Sequence, residues 1–221
     1  MSEVENRRPL KVRDKAWAKA FAAALARAQV KPNHISAMSV VFAALAAGLA
    51  GLSGWAGALD RSIMLLLAAG CIQARLLCNL FDGMVAVEHG RGSSAGPIWN
   101  ELPDRFSDVL LLAGAGYMLA GLDWRMGPSL GWVAAILAVL AAYVRELGRG
   151  FGLPADFTGP MAKQQRMAAL TAGCLLSAFE PFWNGAGQMM LIVMALIVVG
   201  TGWTIARRVA NLAAGLKAKG G

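Results

Sequence analysis

The chain has 221 residues, of which 57% are apolar and only 15% charged. Soluble domains carry about 25% charged residues, so an ordinary water-soluble globule is excluded and the membrane class is indicated. The net charge of +8 is no nucleic-acid signature, because the basic residues flank apolar runs.

The predicted elements divide the chain into a cytoplasmic segment (1–33), a six-helix transmembrane unit (34–209) and a basic cytoplasmic tail (210–221). The fold class expected is all-α. Over Val12–Ala28, Trp17, Phe21, Ala24 and Leu25 recur at helical spacing among Arg13, Lys15, Lys19 and Arg27. This pattern predicts an amphipathic helix, either lying on the membrane surface or packed on its own domain. Pro32, Asn33 and Ser36 then mark a turn and cap, and His34 beside them reads as structural. No cleavable signal peptide is expected, since the N-terminus is charged and polar beyond the point where an apolar signal core would begin.

A spanning helix needs about 20 mostly apolar residues. Six stretches qualify: Ile35–Leu52, Ile63–Val87, Asn100–Leu119, Leu130–Leu147, Arg166–Ala178 with its flanks, and Met189–Ile205. Of these, Arg166–Ala178 is the least apolar at its start. Both termini and the even-numbered connections carry the Lys and Arg excess, whereas the opposite side has Arg61 and Arg125. That asymmetry predicts cytoplasmic termini. The Gly/Ser-rich stretch Glu88–Pro97 predicts a tight cytoplasmic hairpin, and Gly150–Pro160 a second. Cys71, Cys78 and Cys174 lie in apolar runs without paired spacing, which suggests neither a disulfide framework nor a zinc site.

The informative stretch is NLFDGMVAVEHGRGSSAGPIWNELPDRFSD, Asn79 to Asp108. It sets Asp82, Glu101, Asp104 and Asp108 in or near spans, where each central acid costs about 2.5–3.5 kcal/mol to insert. At about 100° per residue, Arg75, Asn79, Asp82, Gly83 and Ala86 share one arc, and Asn100, Glu101, Asp104 and Asp108 share another. The short hairpin is expected to make the two helices antiparallel neighbours with facing polar arcs. Oxygen ligands without Cys or His suit a hard cation, Mg²⁺ or Mn²⁺. Gly83, Ala86 and Gly96 remove bulk beside it. The bland alternative is interhelical polar glue, and six Asn, Asp and Glu residues on two arcs argue against it.

The spacing resembles the CDP-alcohol phosphatidyltransferase signature, D-x-x-D-G-x-x-A-R, eight residues, then G-x-x-x-D-x-x-x-D. Asn79, Asp82, Gly83, Ala86, Val87, Gly96, Asn100 and Asp104 stand at those positions. Asn replaces two acids and Val87 the Arg. A phosphatidylglycerophosphate-synthase-like bacterial branch also carries Asn at the first and third acidic positions, with Glu following the third, as Asn100 and Glu101 do here. KPNHISAMS resembles the family's entry to its first span, and Arg145, Glu146 and Arg149 resemble a later Arg-Glu segment.

The resemblance implies a bacterial inner-membrane enzyme, a homodimer as an expectation, with a cytoplasmic active site. It would move the phosphatidyl group of CDP-diacylglycerol, or a related CDP-alcohol, to an alcohol and release CMP in phospholipid synthesis. Two divalent metals would sit at the first three acidic positions, with Asp104 as base. The metal set is then Asn79, Asp82, Asn100 and Asp104, with Glu101 and Asp108 as replacement charges. CDP would meet Asn79, Asp82, Gly83, Ala86, Gly96 and Arg91; Arg75, Arg91 and Arg105 are candidates for the guanidinium missing at Val87. Arg145, Arg149, Lys163 and Arg166 would suit an acceptor carrying its own phosphate, such as glycerol 3-phosphate; positive-inside loop charge explains them equally well, so neutral acceptors stay open. Two other classes also stay open: a catalytically silent CDP-lipid-binding relative and, less favoured by the few polar residues on the outer half of the later spans, a cation or proton transporter.

Overall fold

A computed structural model describes residues 13, 15–88 and 96–220, with the side chains of Glu88, Pro97, Asn100 and Gly220 excepted. Arg91, most of the Glu88–Pro97 hairpin and residues 1–12 lie outside the described residues, as does the side chain of Asn100.

Seven α-helices make up the described chain: α1 (Ala16–Arg27), α2 (Pro32–Ser53), α3 (Ala58–Glu88), α4 (Gly96–Gly121), α5 (Gly127–Gly150), α6 (Lys163–Phe179) and α7 (Gln188–Gly220). A short 3-10 turn, Glu180–Trp183, follows α6. By length and composition, α2, α3, α5 and α7 can each cross a membrane. The other two expected spans differ for physical reasons. The N-terminal half of α4 carries Glu101, Asp104, Arg105 and Asp108, and α6 has 17 residues, short of the usual 20 or so.

Pro32 occupies the first turn of α2, where its missing N–H costs nothing. Ser36 was expected in the cap, but it lies one turn inside α2, and no side chain caps that end. α7 continues helical through residues 210–220, the stretch expected as a basic tail. α1 buries Ala18 and Ala22 against Phe81, Met84 and Val85 of α3. Its large apolar residues Trp17 and Phe21 are half exposed, and both also contact the Phe81 ring, Phe21 with ring centroids 4.6 Å apart.

Helix neighbours close a ring in the order α2, α4, α5, α7, α6, α3. The hairpin-linked pair α3 and α4 was expected to pack side by side; instead α2 packs extensively against both, and they touch each other little. Small residues allow this. A side chain at Gly114 of α4 would begin 2.6 Å from the carbonyl oxygen of Ala47 in α2, and one at Gly116 would begin 2.6 Å from that of Gly127 in α5. Backbones this close exclude even a methyl group. The apolar core inside the ring is built from Ala43, Leu65, Ile72, Leu112, Ala138, Leu170 and Met194, among others. Outward faces are apolar too, with Val199 at 72% and Trp203 at 67% exposure. Outward residues of that kind belong against lipid, not water.

The end of the ring away from the N-terminus of α6 is stapled by Glu180. Its fully buried carboxylate accepts the Gly187 and Met189 N–H groups, each at 2.6 Å. It satisfies backbone donors at the start of α7, where a negative group is also favoured by the helix dipole.

Gly114→Ala is expected to destabilise the chain by about 1–3 kcal/mol through overpacking between α2 and α4, read as a lowered thermal-unfolding midpoint in detergent. Gly70→Ala, where an added methyl meets nothing within 4 Å, is the matched control and should leave the midpoint unchanged or raised.

Candidate active site

Polar side chains from α2, α3, α4 and α6 converge inside the ring near the N-terminus of α6. The gap left where α3 and α4 stand apart is bridged by long polar side chains of α3. Arg75, fully buried, donates through Nη2 to Asp108 Oδ1 at 3.0 Å and to Asp104 Oδ1 at 3.3 Å. One turn along α3, Asn79 Nδ2 donates to the same Asp104 oxygen at 2.6 Å. From α6, Lys163 Nζ pairs with Asp104 Oδ2, and Arg166 Nη2 donates to Asp108 Oδ2 at 2.9 Å. Asp108 is thus held at both oxygens by guanidinium groups, and Asp104 lies between an arginine, an asparagine and a lysine.

Asp82 differs from these two. Its Oδ2 accepts the Ser36 hydroxyl of α2 at 2.7 Å. No side chain donates to its Oδ1, which is buried; the Gly83 backbone amide is the polar group beside the carboxylate. No cationic side chain makes an ion pair with Asp82 among the described residues.

The sequence-predicted residues therefore separate into groups. Asn79 and Asp104 touch, and Asp82 lies close enough to Asp104 and Lys163 for their charges to be felt. Gly83 and Ala86 are half-buried on the same arc of α3, and Val87 is exposed. Glu101 and Asp108, expected as replacement ligands, are both engaged by arginines: Glu101 accepts Arg145 at 2.6 Å and pairs with Arg105 at 3.4 Å. Two residues of the cluster escaped the sequence reading. Ser36 was taken for a cap, and Arg208 for flanking charge. Arg75, placed on the polar arc and named as a candidate for the guanidinium missing at Val87, proves to be the central cation.

Fit to a divalent ion can be judged from these donors. Among the described residues no three Asp, Glu, His or Cys side chains converge as a ready cage. The available set is Asp82 Oδ1, the amide oxygen of Asn79, and Asp104, all hard oxygen donors. A buried carboxylate oxygen without a side-chain donor is costly unless a cation or water meets it, so the set fits a hard cation at Asp82.

Beside Asp104 opens a pocket lined by Arg105, Arg145, Lys163, Arg166 and Arg208, with Phe157 at its edge and no acidic side chain in its lining. Arg145 stacks over Phe157 at 5.5 Å. Arg149, one of the four predicted acceptor residues, is outside this lining and pairs with Glu146 at 2.7 Å. Arg208 of α7 is buried and donates to the Ala141 carbonyl at 2.7 Å and the Thr158 carbonyl at 3.0 Å. The loop carrying Phe157 is pinned by Asp156, which accepts from Thr158 and from Asn211 of α7. Partial burial pushes the Asp156 carboxyl up, but the Thr158 and Asn211 donors and the nearby Arg208 outweigh it and hold it below the usual carboxylate range. A second cavity of about 310 Å³ lies behind this loop, against Arg145, Asp156, Arg208 and Asn211.

No family model matches the chain. A bifunctional IPC transferase and DIPP synthase from Rubrobacter xylanophilus is 31% identical over 155 residues, 67% of this chain and 32% of the relative. The chain thus spans about a third of the length of that curated relative. Two solved structures of the Mycobacterium tuberculosis phosphatidylinositol phosphate synthase share its fold. The complex with manganese and citrate superposes with a TM-score of 0.73 at 20% identity, covering 88% of each chain. The form with CDP-DAG bound gives 0.72 at 20% identity, covering 88% of this chain and 92% of that one.

Arg75→Ala is expected to cost about 3–5 kcal/mol, because it strips a shared cation from two buried carboxylates. Denaturant or thermal unfolding in detergent measures it. The paired variant Arg75→Ala/Asp108→Asn should recover part of the loss, since the most deeply buried charge is then removed as well.

Proposed function

We propose that the chain is a CDP-alcohol phosphatidyltransferase, a reading its fold and motif spacing support, and that it transfers the phosphatidyl group of a CDP-activated lipid to an alcohol that itself carries a phosphate. The observation that carries this reading is the position of Asp104: it stands between the Asn79–Asp82 arc and a pocket of five cationic side chains without an acid. A donor diphosphate on the arc and an acceptor phosphate in the pocket would bring the acceptor hydroxyl beside Asp104. The acceptor class follows from charge, since Arg and Lys clusters match phosphate oxygens through charge-assisted hydrogen bonds. Glycerol 3-phosphate is one such acceptor; inositol phosphates are others.

The chemistry is a displacement at phosphorus. The acceptor oxygen forms a bond to the phosphorus bearing the diacylglycerol, the bond from that phosphorus to the CMP oxygen breaks, and the acceptor proton moves to Asp104. A carboxylate offers about four lone-pair sites. Asn79, Arg75 and Lys163 engage three, which leaves one for the proton. Arg75 and Lys163 fix the carboxylate geometry, and positioning of this kind is the main work a protein does in phosphoryl transfer. A divalent ion, Mg²⁺ or Mn²⁺, held by Asp82, Asn79 and Asn100, would neutralise the diphosphate as CMP leaves. Gly83, Ala86 and Gly96 would leave room for the nucleotide, and Arg91 would add a cation to it.

Six spans, α2 to α7, with α1 on the cytoplasmic surface and both termini inside, complete the reading. The basic termini and cytoplasmic connections support it, as does the half-exposed pair Trp17 and Phe21 on α1. The enzyme would then work at the inner membrane of a bacterium, with residues 34–209 as its catalytic unit. Assembly as a homodimer follows from the family resemblance alone. Val87, where the family has Arg, favours a second reading, a relative that binds the CDP-lipid without turning it over.

Purified chain given CDP-diacylglycerol, Mn²⁺ and a panel of alcohols should release CMP only with phosphate-bearing acceptors. Asp104→Asn should lower the rate at least a hundredfold, and Arg145→Gln should raise KM for the acceptor more than for the donor. CMP release with a neutral alcohol alone would overturn the acceptor assignment. Donor binding with no CMP from any acceptor would establish the silent relative.

A further inference from the structure

Three carboxylates, Asp82, Asp104 and Asp108, face three cations, Arg75, Lys163 and Arg166, in the buried cluster; Glu101 and Arg105 pair beside it. The cluster is thus already neutral. Asp108 is consumed by two guanidinium groups and Asp104 by Arg75 and Lys163. Asp82 alone keeps a buried oxygen without a side-chain donor. Cation demand is therefore localised on one side of the site.

A diphosphate diester carries two negative charges, which a single divalent ion cancels. With the donor alone bound, a pair of divalent ions would leave two positive charges in excess inside a low-dielectric ring, a penalty that grows as the surroundings exclude water. In paired-metal sites about 3.5–4 Å separates the ions. Here an ammonium group, with its own positive charge, pairs with Asp104 across from Asn79.

We propose that this site takes up one divalent cation, at Asp82 and Asn79, and that Lys163 Nζ is the fixed positive charge on the Asp104 side, standing where a second ion would bind. The inference rests on the transferase reading for its diphosphate. Its own content, one ion and a lysine that excludes another, is independent of turnover. Lys163 acts here as a positioning and specificity residue; the ion it excludes would otherwise share Asp104.

The test counts ions without any lipid substrate. Free Mn²⁺ is followed by its paramagnetic resonance signal as full-length chain in detergent is titrated. The wild-type chain should bind one Mn²⁺. Asp82→Asn should lose it. Lys163→Gln should bind two, and Lys163→Arg, which keeps the charge, should bind one. Two ions or none on the wild-type chain would overturn the proposal, as would an ion retained by Asp82→Asn or a count of one in folded Lys163→Gln. Should Lys163→Gln fail to fold, the wild-type count and Asp82→Asn decide. The expected counts in a chain that releases no CMP would sink the transferase reading and leave this one standing; CMP release with two ions on the wild-type chain would do the reverse.

Discussion

Asp108 is fully buried between Arg75 of α3 and Arg166 of α6, and the interior of the helix ring is organised around that contact. Each of these ions would be costly alone in an apolar surrounding. Held together they join α3, α4 and α6 at one level. The same guanidinium that satisfies Asp108 also reaches Asp104, so the structural pair and the site carboxylate share one cation. The site inherits its geometry from a cluster that cannot shift without exposing a buried charge.

Small residues supply the matching constraint on the outside of that cluster. Because α2 wedges between α3 and α4 along a seam that includes Gly114, the two motif helices stand apart. The side chains of Arg75 and Asn79 cross the space between them. Ser36 on α2 then reaches Asp82 across the wedge. Close backbone approach at one seam and open space at the next are two sides of a single packing choice.

The departures from the family motif make sense in this setting. Asn79 gives up a charge but keeps an amide that donates to Asp104, a contact an aspartate could make only when protonated. Fewer negative charges would leave an excess of positive charge if all the cations were mobile ions. Lys163, supplied by the protein itself, fits the reduced charge. The residues that looked like substitutes in the sequence, Glu101 and Asp108, are engaged by arginines instead.

Much of this was legible in the sequence. The all-helical membrane character, the arc Asn79–Asp82–Gly83–Ala86 and the position of Asp104 follow from apolar length and helical periodicity, which are local properties of the chain. Helix neighbours were not legible: the short hairpin suggested that α3 and α4 pack together, and only the glycine seam with α2 decided otherwise. Nor were the ion pairs, since Arg75 lies 29 and 33 residues from its two carboxylates and Arg166 lies 58 residues from Asp108. Which acid meets which base depends on how distant helices are rotated about their axes. Spacing within one segment carries no record of that rotation. The sequence by itself determined the membrane helices and the spaced motif; the tertiary structure decided that Asp108 serves the arginines and that Asp82 keeps a buried carboxylate oxygen without a side-chain donor.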